Sequence, residues 1–523
     1  MKMNLKKYMR ILLMIFMILQ PTFDIFYLYS DEIINIFKFS PATIIRMIIM
    51  CILFITSLFM YRCNNNKKLK YLGIFAVIYG CYIIGHHINA SNFSVLYGNF
   101  DKYSILNELF YMIRMIMPLL MVFVTYEKKL EWQDVKKVII SVVLFFSGVM
   151  VLANLFEVAI TSYNNGTGII KANFFDWFTE GIYQKYGYEF IASKGIFHMA
   201  NQVSGTLICL FPIVIYIYLE EKIKVRNILT LMLMMLSMLM LGTRIASYGW
   251  IMVLLAMVIM YVFFGKVIKN LDFSWKKLGV LGIIFVIFLR ILPFSPVSNR
   301  VYINDDADAV EENISVDFGE DALTKFSKEI RELEANAETE EDYQYIYELK
   351  IDFIKNNLDS YGFDRIYITK LYPYTEDYDF WLELFEVPFA ERANHRQLKT
   401  LVTERIIELN DNKLDYVFGI SFTRLRNAQV YMENDIHVHL YSIGIIGILL
   451  FIVPYLVMVI YSFIKMLKNK NKFNYLNMTY LLSIVLIFVA GILSGNIFDE
   501  WIATLFLAFI CGNLLVNIIN DKK

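Results

Sequence analysis

The stretch "MENDIHVHLYSIGIIGIL", Met432 to Leu449, sets a glutamate, an aspartate and two histidines directly against an unbroken apolar run. That run continues to roughly residue 463, long enough to cross about 30 Å of hydrocarbon as a helix. Acid and imidazole therefore stand at the mouth of a membrane span, where a charge is costly and calls for a reason.

The rest of the chain repeats the pattern. Its 523 residues are 58% hydrophobic and only 19% charged, a balance far from that of a soluble domain. Twelve segments are apolar for long enough to span: roughly 9–29, 43–62, 71–88, 104–126, 138–160, 200–219, 227–243, 246–265, 278–296, 439–463, 477–495 and 499–519. The expectation is an all-α, polytopic integral membrane protein with about 12 transmembrane helices. The first span follows "MKMNLKKYMR" with no small-residue cleavage site, so it reads as a retained signal anchor. Orientation follows from Lys and Arg: with the N-terminus inside, "RCNNNKKLK", "EKKLEWQDVKK", "EEKIKVRN", "GKVIKNLDFSWKK", "KMLKNKNK" and "NDKK" all fall on the cytoplasmic side. An even span number puts both termini in the cytoplasm.

A formal net charge of zero hides an asymmetry. Between Arg300 and Glu433 there are 30 acidic and 15 basic residues, so this stretch carries fifteen negative charges and the remainder fifteen positive. A stretch of this length is a domain rather than a loop. The division expected is a membrane domain over 1–296 with spans one to nine, an extracytoplasmic domain over 297–434, and a membrane domain over 435–523 with the last three spans. Helical spacing of Phe326, Ile330, Leu333, Tyr345, Leu349 and Phe353, and the amphipathic "TLVTERIIEL", make the large extracytoplasmic domain mostly helical. A shorter excursion, 161–198, is aromatic and glycine-punctuated, as a segment at the lipid interface would be. Cys51, Cys63, Cys81, Cys209 and Cys511 lie in or beside spans, so the large domain needs no disulfide. No internal repeat stands out, which counts against two-halved transporter architectures.

Four arginines fall within or at the edge of spans: Arg46, Arg114, Arg244 and Arg290. Arg46 and Arg290 admit snorkelling to headgroups. Arg114 lies deeper, which favours a functional or paired role. All six histidines, His86, His87, His198, His395, His437 and His439, lie outside the spans or at their outer ends. Polar groups thus converge on one leaflet, whereas a carrier or channel strings them through the bilayer. Glu433 and His437 are four apart, as are Asp435 and His439, so a helix would place the two pairs on roughly opposite faces and turn only one inward. Its N-terminus would favour an anion. The pattern suits a proton acceptor beside arginines that hold a phosphate. A metal site from Asp435, His437 and His439 has no outer cysteine or tight ligand set behind it, and neither metal nor other cofactor is expected.

"KGIFHMANQVSGTLICLFP" (Lys194–Pro212), "LGTRIASYGWIMVLL" (Leu241–Leu255) and "YVFGISF" with "MENDIHVHLYSIGIIGILLF" (within Tyr416–Phe451) resemble, in order and spacing, blocks of the bacterial O-antigen polymerase and O-antigen ligase superfamily. The resemblance implies a GT-C-like, metal-independent glycosyltransferase. It would take an oligosaccharide from undecaprenyl pyrophosphate and pass it to an acceptor hydroxyl at the outer face of the cytoplasmic membrane. Carried over by position, Arg244 would contact the donor's pyrophosphate, with Arg114 and Arg290 as further cations, while Asn201 and Asn434 would orient helix or substrate. One departure matters: the family's His-Asn stands eleven residues before the first glycine of "GIIG", and here that count lands on Glu433, with Asn434 next. Glu433 is the favoured base, with His437 or His439 as replacement and Asp435 as a second acid. A single displacement on the anomeric carbon implies inversion.

Three functions compete at this level. A polymerase would join one lipid-linked repeat unit to another, and a ligase would move the finished chain to a different acceptor. A flippase or solute carrier would need a charged cavity open in turn to both faces. Heavy use of Ile, Lys, Asn, Tyr and Phe suggests an AT-rich genome and tilts the reading toward capsule or exopolysaccharide polymerisation. Expected partners are the undecaprenyl-pyrophosphate-linked oligosaccharide, membrane lipids, and flippase and chain-length regulator proteins; no nucleic acid is expected.

Overall fold

The computed structural model describes the chain except residues 1, 38, 63–65, 95–101, 164–167, 301–318, 364, 389–394, 426–431, 433 and 521–523, and gives backbone alone for 2–4, 60–62, 66–69, 319–321, 395 and 396. The described residues form helices and three isolated β-bridges, with no strand. In hydrocarbon a helix is the local way to satisfy every backbone N–H and C=O, so leucine- and isoleucine-rich runs of this length have little alternative.

Ten helices among the described residues are long and apolar enough to cross a membrane: Pro41–Phe59, Lys70–Asn92, Ile105–Lys128, Trp132–Leu155, Ala200–Glu220, Arg244–Val267, Trp275–Asn299, Asp435–Lys468, Tyr475–Ser494 and Trp501–Ile519. The other two expected spans fall on Lys2–Leu19 and Val225–Met240. Val225–Met240 has 16 residues, about 24 Å at 1.5 Å per residue, short of a hydrocarbon core. Ten of the twelve expected spans are thus candidate membrane helices among the described residues. The first helix also stops earlier than hydropathy suggests. Pro21 breaks it after Leu19, and Gln20–Asp24 and Phe26–Tyr29 continue as 3-10 turns.

The chain divides into two compact units: Met1–Gly80 with Phe110–Arg300 and Leu449–Lys523, and Cys81–Leu109 with Val301–Ile448. In the first, Ala200–Glu220 is the axis, buried without a break from Gln202 to Leu219 and packed by Trp132–Leu155, Val225–Met240, Arg244–Val262, Tyr475–Ser494 and Trp501–Ile519. Small residues let backbones approach: a Cβ on Gly205 would come within 2.8 Å of Ile497, and one on Gly512 within 2.5 Å of Thr125.

The second unit has an aromatic core built around Trp381, Tyr372, Phe363, Phe380 and Phe385. Its helices include Gly319–Asn336, Glu340–Asn357, Tyr378–Phe385 and His395–Leu409. The periodicity expected for Glu340–Asn357 is off by one position, because Tyr345 is exposed and the inward face is Ile346, Lys350 and Ile354. Lys350 can face inward because its amine sits between Glu334 at 2.7 Å and Asp379 at 2.6 Å while its stem is buried.

Candidate functional site

In the first unit, the block around Arg244 forms a rigid turn. The chain leaves Val225–Met240 and re-enters helix at Arg244–Val262 through Leu241, Gly242 and Thr243. Gly242 has φ +64, and a Cβ there would come within 2.9 Å of Ala192 and 3.2 Å of Pro296, so angle and space both exclude a side chain. Thr243 caps the helix, its hydroxyl accepting from the Ala246 N–H at 3.4 Å. Arg244 is therefore the first helical residue, its guanidinium exposed and without an ion pair among the described residues. A helix N-terminus and a guanidinium both favour an anion at this point.

A second cation reaches the same turn, and sequence reasoning missed it. Arg300 donates to the Tyr163 hydroxyl at 3.4 Å and lies over the rings of Tyr163 and Tyr188, at 4.9 and 5.7 Å. The Tyr163 hydroxyl in turn donates to the Gly242 carbonyl. Burial pushes the Tyr163 phenol up to about 12, against the pull of Arg300 and Arg244, so it remains a proton donor. Arg290, one of the further cations expected from the sequence, stands exposed in the last turn of Trp275–Ile291. The only sign of Arg300 in the sequence is its place at the seam between the ninth apolar run and the acidic stretch.

Two further arginines of this unit are paired with carboxylates. Arg46 is buried, bonds Gln20 Oε1 at 2.9 Å and the Tyr29 hydroxyl at 3.1 Å, and forms an ion pair with Asp24. Snorkelling to headgroups does not describe it. Arg114 meets Glu500 at 3.3 Å and lies over the Tyr111 ring at 5.3 Å, and Tyr111 donates to Asp499 at 3.1 Å. Asp499 and Glu500, in the turn between the last two helices, were also missed; "SGNIFDEW" is the polar interruption that could have flagged them. Asn201 donates to the Ser494 carbonyl at 3.3 Å and so ties Ala200–Glu220 to the end of Tyr475–Ser494. Lys194 is buried against Phe26, and burial lowers it to about 8. His198 stacks on Tyr29 at 4.5 Å, and burial followed by the Lys194 charge lowers it to about 4, which leaves it neutral at pH 7.

The second unit holds the stretch that opens the sequence reading. Glu433 lies outside the described residues. Asn434 precedes Asp435–Phe451, its side chain accepting from the Ile436 N–H at 2.9 Å as a helix cap. Of the two spaced pairs, Asp435 and His439 are the buried one, while His437 is half-buried and parallel to the Tyr441 ring at 6.2 Å.

What holds this helix is a close backbone approach. Gly444 interrupts it at φ +69, and Gly419 faces it at φ +83. Ile420 N–H donates to the Tyr441 carbonyl at 2.7 Å, and Ser421 N–H to the Ser442 carbonyl at 3.1 Å. Beside them, the buried Glu108 carboxylate accepts from His86 at 3.0 Å, from the Ser421 and Thr423 hydroxyls at 2.7 Å each, and from the Phe422 and Thr423 N–H groups. Asp415 accepts from Asn89, Asn410 and Asn412; burial raises it, and those three amides oppose the rise. Among the described residues no three His, Cys, Asp or Glu side chains are grouped as a metal site would require.

Ten helices of spanning length and composition among the described residues make this a multi-pass membrane protein. The chain belongs to the O-antigen ligase-like family: the model described as "O-antigen ligase like membrane protein" matches residues 6–521. It matches no curated protein and no solved structure. Membership in that family supports a membrane enzyme that transfers glycosyl groups in O-antigen or polysaccharide synthesis.

Proposed function

We propose that the protein is a metal-independent, inverting glycosyltransferase that polymerises undecaprenyl-pyrophosphate-linked oligosaccharide repeat units for capsule, exopolysaccharide or O-antigen synthesis. It acts at the outer face of the cytoplasmic membrane, with both termini cytoplasmic and the large segment between Arg300 and Asn434 outside. The observation that carries the reading is the turn at Gly242, where Arg244 stands at a helix start and Arg300 is linked to the Gly242 carbonyl through the Tyr163 hydroxyl.

A sugar bonded through its anomeric carbon to diphosphate already has a good leaving group. The protein's work is then to stabilise departing negative charge and to accept one proton from the acceptor hydroxyl. Arg244 and Arg300 supply planar, permanently charged, bidentate phosphate contacts, and the helix N-terminus adds its partial charge. Arg114 and Arg290 are secondary cations, and Asn201 and Asn434 are positioning residues. The proton goes to Glu433, with His437, His439 and Asp435 as the other candidates in the same short stretch. The acceptor oxygen bonds the anomeric carbon from the face opposite the diphosphate, which leaves as the carrier lipid diphosphate; a single such displacement inverts the centre.

The test is incubation of purified protein with a lipid-diphosphate oligosaccharide. A ladder of longer lipid-linked products with release of carrier lipid diphosphate supports polymerisation. Transfer only to an added, different acceptor shows a ligase, and intact donor under all conditions sinks both.

A further inference from the structure

One short segment, Leu292 to Arg300, joins two surfaces of the first unit. At its far end Pro296 packs against Gly242 and Arg300 covers Tyr163 and Tyr188. At its near end Phe294, 45% exposed, has its ring 5.1 Å from that of Phe178, which is 47% exposed. Phe174 lies 5.6 Å from Phe178 and equally far from Phe175, which is 69% exposed. The rings are held in place: the Tyr183 hydroxyl donates to the Phe294 carbonyl at 2.7 Å, and Asn173 and Asp176 form a reciprocal capping box around Phe174–Phe178. Phe294 lies in the last turns of the candidate span Trp275–Asn299, and Arg300 follows it directly.

A free phosphate would use the cations and leave the phenyl rings bare. A plain lipid leaflet would cover the rings, but it gives no role to two guanidinia beside a glycine turn. An amphiphile with a diphosphate head and a hydrocarbon tail uses both surfaces at once, because its charge and its apolar chain meet where the two join.

We propose that Phe175, Phe178 and Phe294 dock the first isoprene units of a polyprenyl diphosphate whose head is held at Arg244 and Arg300. This rests on the lipid-diphosphate donor of the proposed function and assigns the tail a place on the chain.

The experiment measures binding rather than turnover, with full-length protein in detergent and two probes, farnesyl diphosphate and inorganic pyrophosphate. Wild type binds farnesyl diphosphate at least about tenfold more tightly, ~1.4 kcal/mol. The triple variant Phe175→Ser, Phe178→Ser, Phe294→Ser loses that advantage and keeps its pyrophosphate affinity. Phe175→Ser alone, at a position exposed enough to leave folding untouched, loses part of it. A tail advantage that survives in both variants means the rings touch only bulk lipid, and overturns the proposal; so does a wild type that prefers neither probe. Sugar transfer with ring-independent prenyl binding sinks this inference and leaves the glycosyltransferase standing, whereas ring-dependent prenyl binding without transfer does the converse.

Discussion

Substituting Gly419 by alanine in the second unit should loosen the helix that carries Asp435 and His439. An alanine Cβ at that position would lie 2.3 Å from the Ser442 carbonyl oxygen and 2.6 Å from the Ile443 nitrogen. Both are backbone atoms and cannot swing away. The φ of +83 with ψ 161 is a conformation essentially confined to glycine and adds strain of about 1–2 kcal/mol for any L side chain. Moving the strands of backbone apart weakens the Ile420–Tyr441 and Ser421–Ser442 hydrogen bonds, each worth roughly 0.5–1.5 kcal/mol. The expected cost is thus about 2–5 kcal/mol, or a fall of roughly 5–15 °C in melting temperature for a unit of this size. Gly444→Ala, facing the Val417 carbonyl oxygen at 2.4 Å, should behave alike. The control is Gly148→Ala, in the helix Trp132–Leu155, where a Cβ meets nothing within 4 Å. It should be neutral or stabilising by up to about 1 kcal/mol. Thermal unfolding in detergent, with hydrogen exchange on peptides covering 416–448, reads both. If Gly419→Ala melts with wild type and its exchange is unchanged, the close approach of these two segments is not what holds the helix.

Other substitutions probe the buried charges. Glu108→Gln replaces an acceptor of five donors with a group that itself donates, and should cost about 2–4 kcal/mol in thermal unfolding; no change would show that the carboxylate is not what holds Ser421–Thr423. Arg46→Ala strands the Asp24 carboxylate in the core and should destabilise by about 3–5 kcal/mol, whereas a snorkelling arginine would cost almost nothing. At Asp377, burial would raise the carboxyl, but bonds from Arg405 and Tyr372 overrule it and hold it below the ordinary aspartate value of 3.8. The folded state then binds fewer protons than the unfolded one, so this contribution is full above about pH 4 and disappears as pH falls through the lowered folded value. Melting temperature measured from pH 6 to 3 should fall less steeply for Asp377→Asn than for wild type, and parallel curves would refute the assignment.

What could be read from the sequence is what local pattern encodes. Apolar runs gave the helices because hydrocarbon leaves the backbone no other local solution, and the Gly-Thr-Arg stretch gave its turn because glycine, cap and first helical residue are contiguous. The place of Arg244 at a helix start was legible for that reason, and its expected role came from the family resemblance of the stretch. Arg300 was not, since its meaning depends on Tyr163 and Gly242, 137 and 58 residues away in the chain. The same holds for Arg46 with Asp24 and for Arg114 with Glu500, pairs that periodicity cannot see. The early end of the first helix was visible in Pro21 but lost in a hydropathy average. In Glu340–Asn357 a buried lysine displaced the apparent apolar stripe, because two carboxylates on other helices make its burial tolerable.

The most direct measurement compares wild type, Arg244→Lys and Arg244→Ala in the purified system, following release of carrier lipid diphosphate from a lipid-linked oligosaccharide. The account predicts a loss of roughly 10²–10³-fold for alanine, as for other preorganised groups that stabilise departing charge, with lysine intermediate. All three proteins should melt alike, because the side chain is exposed. Alanine that releases carrier lipid at the wild-type rate would contradict the account at its centre.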